Sequence, residues 1–363
     1  MPRWVATAQL NCGQSPREEP PRVRVVPASI PRRAGRRRCQ RAGQAGQDPL
    51  MLQIDGLRKR FGEVQALDGV SFAVRPGEIF GFLGSNGAGK TTTMRIVLGF
   101  LRADAGTVTW RDRPAPDWPR RTWGYMPEER GLYLRMRVLD QLVFYAALYG
   151  IPARQARADA LTWLARFRIA EYADRRAESL SKGNQQKIQY IATILHEPDV
   201  VIMDEPFNGL DPVNAAQLRE ALLELRDRGR TIIFSTHQLA TAEALCDSVA
   251  IIDRGRVVIA GETRDVRRST GQQVVRVATD GGGDSDWLRT LPGVTVTRRG
   301  ADYTELRVAG GGDPQAVLRA AMARGQDVLR FEVADPSLEE VFVERVGALV
   351  GDETSLAAQG AGG

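Results

Sequence analysis

The sequence predicts an α/β protein built on a largely parallel sheet, with a small α+β domain following it. Three observations point there. An apolar run, "RPGEIFGFLG", is launched by a Pro-Gly turn and ends in a glycine-rich loop, and the helix-like "TTTMRIVLGFL" follows. Further apolar runs, "DVVIMDEP", "TIIFSTH" and "SVAIIDRGRVVIAG", alternate with helical segments, the order that parallel sheets require. After a composition shift near 267–273, shorter strand and helix patterns take over.

Taken in order, "LQIDGL", "VSFAV", "EIFGFLG" and "GTVTW" read as short strands. Leu139, Leu142, Val143 and Ala146 recur at i, i+3, i+4, i+7 and predict a helix from about 138. Leu161, Leu164 and Ala165 predict another, with Trp163 and Phe167 in its core. Ile188, Ile191, Ala192 and Leu195 give a third an apolar face. His196 ends that helix, where a cation suits the helix dipole, and Cys246 reads as packing. Beyond 273 come strands "QVVRVAT", "VTVTRR", "YTELRVA" and "DVLRFEV" and helices "DSDWLRTL" and "DPQAVLRAAMAR". That order suits a split βαβ sandwich, with "PSLEEVFVERVG" as a last helix. No solenoid repeat is visible.

The chain has 363 residues, enough for two or three domains, and no run approaches the length of a membrane-spanning helix. Its net charge of +6 is uneven: residues 1–50 carry ten arginines against three acids, +7, which leaves −1 for the rest. A near-neutral body argues against nucleic acid as partner. Residues 1–50 show no apolar period and no signal-peptide core, and are expected to be unfolded. A tether to anionic lipid or nucleic acid is the functional reading of that arginine run. The alternative is upstream sequence outside the native protein, with Met51 as the true start. The three cysteines, Cys12, Cys39 and Cys246, form no disulfide framework and fit a reducing compartment.

"GSNGAGKTT" comprises Gly84, Ser85, Asn86, Gly87, Ala88, Gly89, Lys90, Thr91 and Thr92. It matches G-x-x-x-x-G-K-[ST] between a strand and a helix, the context in which backbone N–H groups curl around phosphate oxygens. Lys90 would supply charge to the β- and γ-phosphates of a nucleotide, Thr91 a hydroxyl to Mg2+, and the following helix its N-terminus. Asp204 and Glu205 lie at the end of an apolar strand. Asp204 would hold Mg2+ through water and Glu205 would polarise the attacking water.

"LSKGNQQKIQ" separates the remaining NTPases. It resembles the signature loop, usually LSGGQ, of ATP-binding-cassette (ABC) ATPases, with Lys182 and Asn184 as departures and Ser181 and Gly183 retained. The resemblance implies a P-loop cassette with an antiparallel β subdomain and a helical subdomain. It also implies a head-to-tail dimer in which Ser181, Gly183 and Asn184 meet the partner's ATP, a second copy being the simplest partner. It makes Phe61 the aromatic on adenine, Asp211 of "NGLDP" the residue reaching across the dimer, and His237 the switch near the γ-phosphate. Glu128 in "GYMPEERGLY" stands where a metal-facing Gln is usual.

With "DEPFNGLDP" and "PSLEEVF", the chain is similar to cassettes of exporters that work with separate permeases, including the sodium-efflux type. This implies residues 52–268 as the cassette, 273–346 as an accessory domain, an unfolded 351–363, and a place on the cytoplasmic face of the membrane. The alternative is a soluble cassette ATPase acting on ribosomes or nucleic acid. Such proteins usually carry two cassettes or a long coiled-coil insert, and neither is present.

Overall fold

A computed structural model describes residues 52–347, apart from 115–117, 130, 281–285 and 301. Met51 and the two expected tails lie outside the described residues. The chain opens with a hairpin, β1 (Leu52–Phe61) and β2 (Val64–Val74), whose register runs from Leu52 opposite Val74 to Phe61 opposite Val64. Next come β3 (Ile79–Leu83), α1 (Lys90–Val97), β4 (Ala105–Trp110), β5 (Arg113–Pro114) and β6 (Trp123–Met126). The first two strands are longer than the sequence pattern suggested, because pairing with a neighbour carries them past their apolar stretch. α1 stops before Gly99, which takes a left-handed φ of 66° and ends the helix expected to run to Leu101.

A helical layer follows: α2 (Val138–Leu148), α3 (Ala153–Arg166) and α4 (Lys182–Ile194). The chain then alternates through β7 (Val200–Asp204), α5 (Pro212–Asp227), β8 (Thr231–Thr236), α6 (Leu239–Leu245), β9 (Ser248–Asp253), β10 (Arg256–Glu262) and α7 (Thr263–Arg268). In α3 the buried face is Ala156, Ala160, Trp163 and Leu164, whereas Leu161 and Ala165 are exposed. The helix is rotated from the expected face because the large Trp163 ring, with Phe167 beyond it, selects the buried side.

The central sheet has the order β10-β9-β3-β8-β7-β6, with parallel pairing throughout except at the β10 edge. Its strands are apolar at nearly every position because both faces are covered. Along β3, Ile79 and Leu83 enter the core under the helices. Phe80 and Phe82 enter the opposite core, shared with α1 and the antiparallel sheet β2-β1-β4-β5. Burying each such side chain contributes about 1.5–3 kcal/mol.

The last part contains β11 (Gln273–Thr279), β12 (Val294–Arg299), β13 (Thr304–Val308), α8 (Gln315–Ala323), β14 (Val328–Ala334) and a final helix, α9 (338–347). The strands form an antiparallel sheet in the order β12-β13-β11-β14, the split βαβ arrangement. "DSDWLRTL" gives only a 3-10 turn, Asp286–Thr290, because Pro292 leaves too little length to nucleate an α-helix. α9 leaves this sheet: Leu338 and Val341, fully buried, join the core of the helical layer. Glu243 accepts from the Leu338 N–H at 2.8 Å, and Arg267 donates to the carbonyls of Asp335 and Pro336.

Candidate active site

Four neighbouring strands, β3, β8, β7 and β6, deliver their carboxyl ends to one edge of the sheet, where open α/β sheets bind ligands. After β3, residues 84–89 form a loop into α1. Gly89 caps the helix at φ 110°, and a Cβ there would meet Leu67 Cδ2 at 2.7 Å and the Ala66 carbonyl at 2.9 Å. Only glycine fits. Ala88 is buried, Thr91 and Thr92 are half-buried, and Ser85, Asn86 and Gly87 are exposed. Lys90 is buried; its Nζ donates to the carbonyls of Gly84 (2.9 Å) and Ser85 (3.1 Å) and lies 3.5 Å from Glu205 Oε1.

Asp204 ends β7, 1% exposed. Thr91 Oγ1 donates to its Oδ2 at 2.8 Å, and the Ser235 hydroxyl donates to its Oδ1. Glu205, the next residue, sits at φ 49°, a left-handed conformation that costs a non-glycine residue about 1–3 kcal/mol. That turn is held by the Glu205 N–H donating to the Ser235 carbonyl at 3.1 Å. It aims the Glu205 carboxylate at β8, where Thr236 Oγ1 donates to Oε2 (3.2 Å) and His237 Nδ1 donates to Oε1 (2.9 Å). Ser235 and Thr236 were missed from sequence. Their only signal is polarity at the end of an apolar strand, and their role depends on β8 lying beside β7.

Glu128 is exposed on the turn after β6. Burial pushes the Tyr125 hydroxyl above its ordinary range, and the negative charges of Asp204 and Glu128 add to that, so the two carboxylates act on one neighbour. Ser181 caps α4, its hydroxyl accepting from the Asn184 N–H at 3.3 Å. Gly183 is buried against the start of α5, and a Cβ there would meet Asn214 Nδ2 at 2.7 Å. Asp211 caps α5, accepting from the N–H groups of Val213 (3.0 Å) and Asn214 (2.9 Å). The Asn214 backbone bond, first among several, holds the Asp211 carboxyl below its ordinary range. Among the described residues, no hydrogen bond or ion pair joins residues 181–184 to the loop at 84–92.

Comparison with known proteins gives the family and the fold. The ABC transporter family profile matches residues 67–208, and that of the DrrA1-3-like ATP-binding protein C-terminal domain matches 261–346. The uncharacterized ABC transporter ATP-binding protein YhaQ of Bacillus subtilis is 42% identical over 82% of this chain and 99% of its own length. The chain belongs to the ATP-binding proteins of ABC transporters. A Nod factor export ATP-binding protein of Ralstonia nicotianae is 35% identical over 83% of this chain and 95% of its own. A fluoroquinolones export ATP-binding protein of Mycobacterium tuberculosis is 33% identical over 82% and 93%. A solved ATP-binding subunit of an ABC transporter shares the fold with a TM-score of 0.57 at 34% identity, over 61% of this chain and 93% of that one.

As an ABC ATP-binding protein, the chain binds ATP and hydrolyses it to power transport, and nothing in these comparisons favours the ribosomal alternative. The cassette's β1–β2 hairpin carries Phe61, 48% exposed, at its tip, and brings Ala66 and Leu67 against Gly89. Among the described residues, no helix is long and apolar enough to cross a membrane. His196 departs from the dipole-capping reading. Its ring stacks on Tyr149 at 3.7 Å and bonds the Trp123 carbonyl at 3.0 Å, and burial pulls its pKa down, so it is a neutral packing residue. Cys246 is a buried free thiol in the core, as expected.

Proposed function

We propose that this chain is the motor subunit of an exporter, binding ATP with Mg2+, closing on a second copy of itself and driving a separately encoded permease. The observation that carries the reading is the convergence of Lys90, Thr91, Asp204, Glu205 and His237 at adjacent strand ends. Lys90 and the N–H groups of residues 84–89 hold the phosphates, with the α1 N-terminus behind them. Phe61 offers an exposed face to adenine.

The residues fit a hard divalent cation. Thr91, Asp204 and Glu128 supply only oxygen, and no group of three or more His, Cys, Asp or Glu among the described residues forms a cage by itself. That suits an ion held partly by phosphates. Bound by Thr91, Asp204 and Glu128, Mg2+ would offset the negative charge of the phosphates. Glu205 takes a proton from the attacking water, and His237 orients that carboxylate beside the γ-phosphate position.

Ser181, Gly183, Asn184 and Asp211 face the second copy, presenting two capped helix ends. An exposed patch supports permease docking. Tyr133 (55%), Leu134 (49%), Phe144 (40%) and Leu148 (66%) lie together, with the Tyr133 ring 5.8 Å from that of Phe144. Docking there makes the protein peripheral on the cytoplasmic face. Residues 52–268 form the motor and 273–346 the accessory domain, whose last helix, α9, packs back on the motor's core. The relatives named for Nod factor and fluoroquinolone export support that direction and, for the cargo, small molecules rather than ions.

The test is purification of the tagged chain from native membranes in mild detergent. Recovery with a multi-helix membrane protein in equal amounts is expected. Recovery as a soluble dimer, or with ribosomes, would refute the permease reading.

A further inference from the structure

Polar side chains are buried along α4 where a helix of this amphipathic pattern should have none. Gln185, Gln186 and Gln189 are all nine-tenths buried or more, and each amide reaches a backbone carbonyl outside the helix. Gln185 donates to Ala177 and Leu180, at the loop that leads into Ser181. Gln186 donates to Pro206 at 3.1 Å, directly after Glu205. Gln189 donates to Pro127 at 2.7 Å and to Glu129 at 3.3 Å, the two carbonyls that flank Glu128. One turn on, Thr193 Oγ1 donates to the Gln189 carbonyl at 2.9 Å and lies 3.4 Å from the Tyr125 carbonyl.

Two converging carbonyls can be met only by a donor, so the orientation of the Gln189 amide is fixed by its partners. Its own oxygen is buried and has no partner among the described residues. Leaving an acceptor unpaired costs free energy, and the two bonds to the Glu128 turn are what the side chain obtains in exchange. The turn runs between the buried Met126 and Leu132, and Tyr145 donates to its Gly131 carbonyl; Gln189 ties the carbonyls on either side of Glu128 to α4.

We propose that Gln189 is a positioning residue for ATP hydrolysis. It locks the Glu128 turn to the helix whose first residues carry the signature loop, so that Glu128 keeps its place beside the metal whenever α4 is in place. Gln186 does the same for the backbone after Glu205. This rests on the reading of Glu128 as a metal-side carboxylate.

The test measures ATP affinity of the full chain by calorimetry, with Mg2+ and with EDTA, alongside turnover. Gln189→Met keeps the length and apolar stem but has no donor. Its metal-free ATP affinity is expected to match the parent. The gain in affinity on adding Mg2+ should shrink about 10–100-fold, as when outer-shell partners of metal ligands are removed, and kcat should fall with it. Gln189→Glu, which sets a carboxylate against two carbonyls, should be worse. In a Glu128→Ala background, Gln189→Met should change nothing further.

An unchanged Mg2+ gain in Gln189→Met would overturn the proposal, and so would an equal loss in the Glu128→Ala background. If Gln189→Met melts out, Gln189→Asn carries the same expectation, its amide one methylene short of both carbonyls. Failure of the broader reading is separable: tight ATP binding by Lys90→Ala would sink that reading whatever Gln189 does.

Discussion

Glu205 is the residue on which both geometry and chemistry concentrate. It sits in a strained backbone conformation, and its carboxylate is held by Thr236 and His237 with Lys90 close by. Glu205→Gln keeps the shape and removes the base. Turnover is expected to fall about 10²–10⁴-fold while ATP stays bound, which single-turnover kinetics with labelled ATP would check. Turnover equal to the parent's would make the base assignment wrong. Lys90→Ala removes the ammonium 3.5 Å from Glu205 Oε1 and should abolish tight ATP binding in a filter or calorimetric assay. Lys90, Asp204, Glu205 and His237 were legible in the sequence because each lies in a short contiguous motif. Ser235 and Thr236 were not, because their contacts come from a strand 31 residues away.

At the scale of the element, α4 shows where periodicity misleads. Ile188, Ile191 and Leu195 are buried as read, but Gln185, Gln186, Lys187 and Gln189 are buried too. A polar residue on a helix reads as surface until the carbonyls around it are known. Lys187 donates to the Phe167 carbonyl at 3.2 Å, at the end of α3, and burial pulls its ammonium pKa down. Gly183→Ala would ordinarily favour a helix by up to about 1 kcal/mol. Here its methyl would meet the Asn214 side-chain amide, which donates to Asp211, so that gain should be missing in urea melts and should appear in an Asn214→Ala background.

His196, just beyond α4, gives a pH signature. Its folded pKa lies below the ordinary 6.5, so its contribution is complete above that value and is lost as pH falls through the lower folded pKa. His196→Gln should be less stable than the parent at pH 7.5. That gap should narrow at pH 5 in urea melts, and a gap that widens would contradict the buried neutral ring.

For the whole molecule, the order of strands and helices and the split βαβ sheet were readable from alternation and turn residues. The path of α9 was not. "PSLEEVFVERVG" reads as a helix of the small domain, yet Leu338 and Val341 complete the core beside α6. The reason is physical: an amphipathic helix shows which face it buries, not against what. Leu338→Ala should cost about 2–5 kcal/mol and lower the melting temperature of the cassette itself. A chain cut at residue 268 should lose the same packing, together with the bonds from Arg267 and Glu243. Independent melting of the two parts, with the shortened chain as stable as the full one, would count against this.

The position of α9 also bears on how the protein is made. Domains usually fold in order as they leave the ribosome, N-terminal first. Here the apolar patch beside α6 waits for Leu338 and Val341, residues synthesised after the entire accessory sheet. A nascent or prematurely terminated chain therefore carries its nucleotide motifs on an unfinished core. Only translation through the last helix supplies the side chains that close this core.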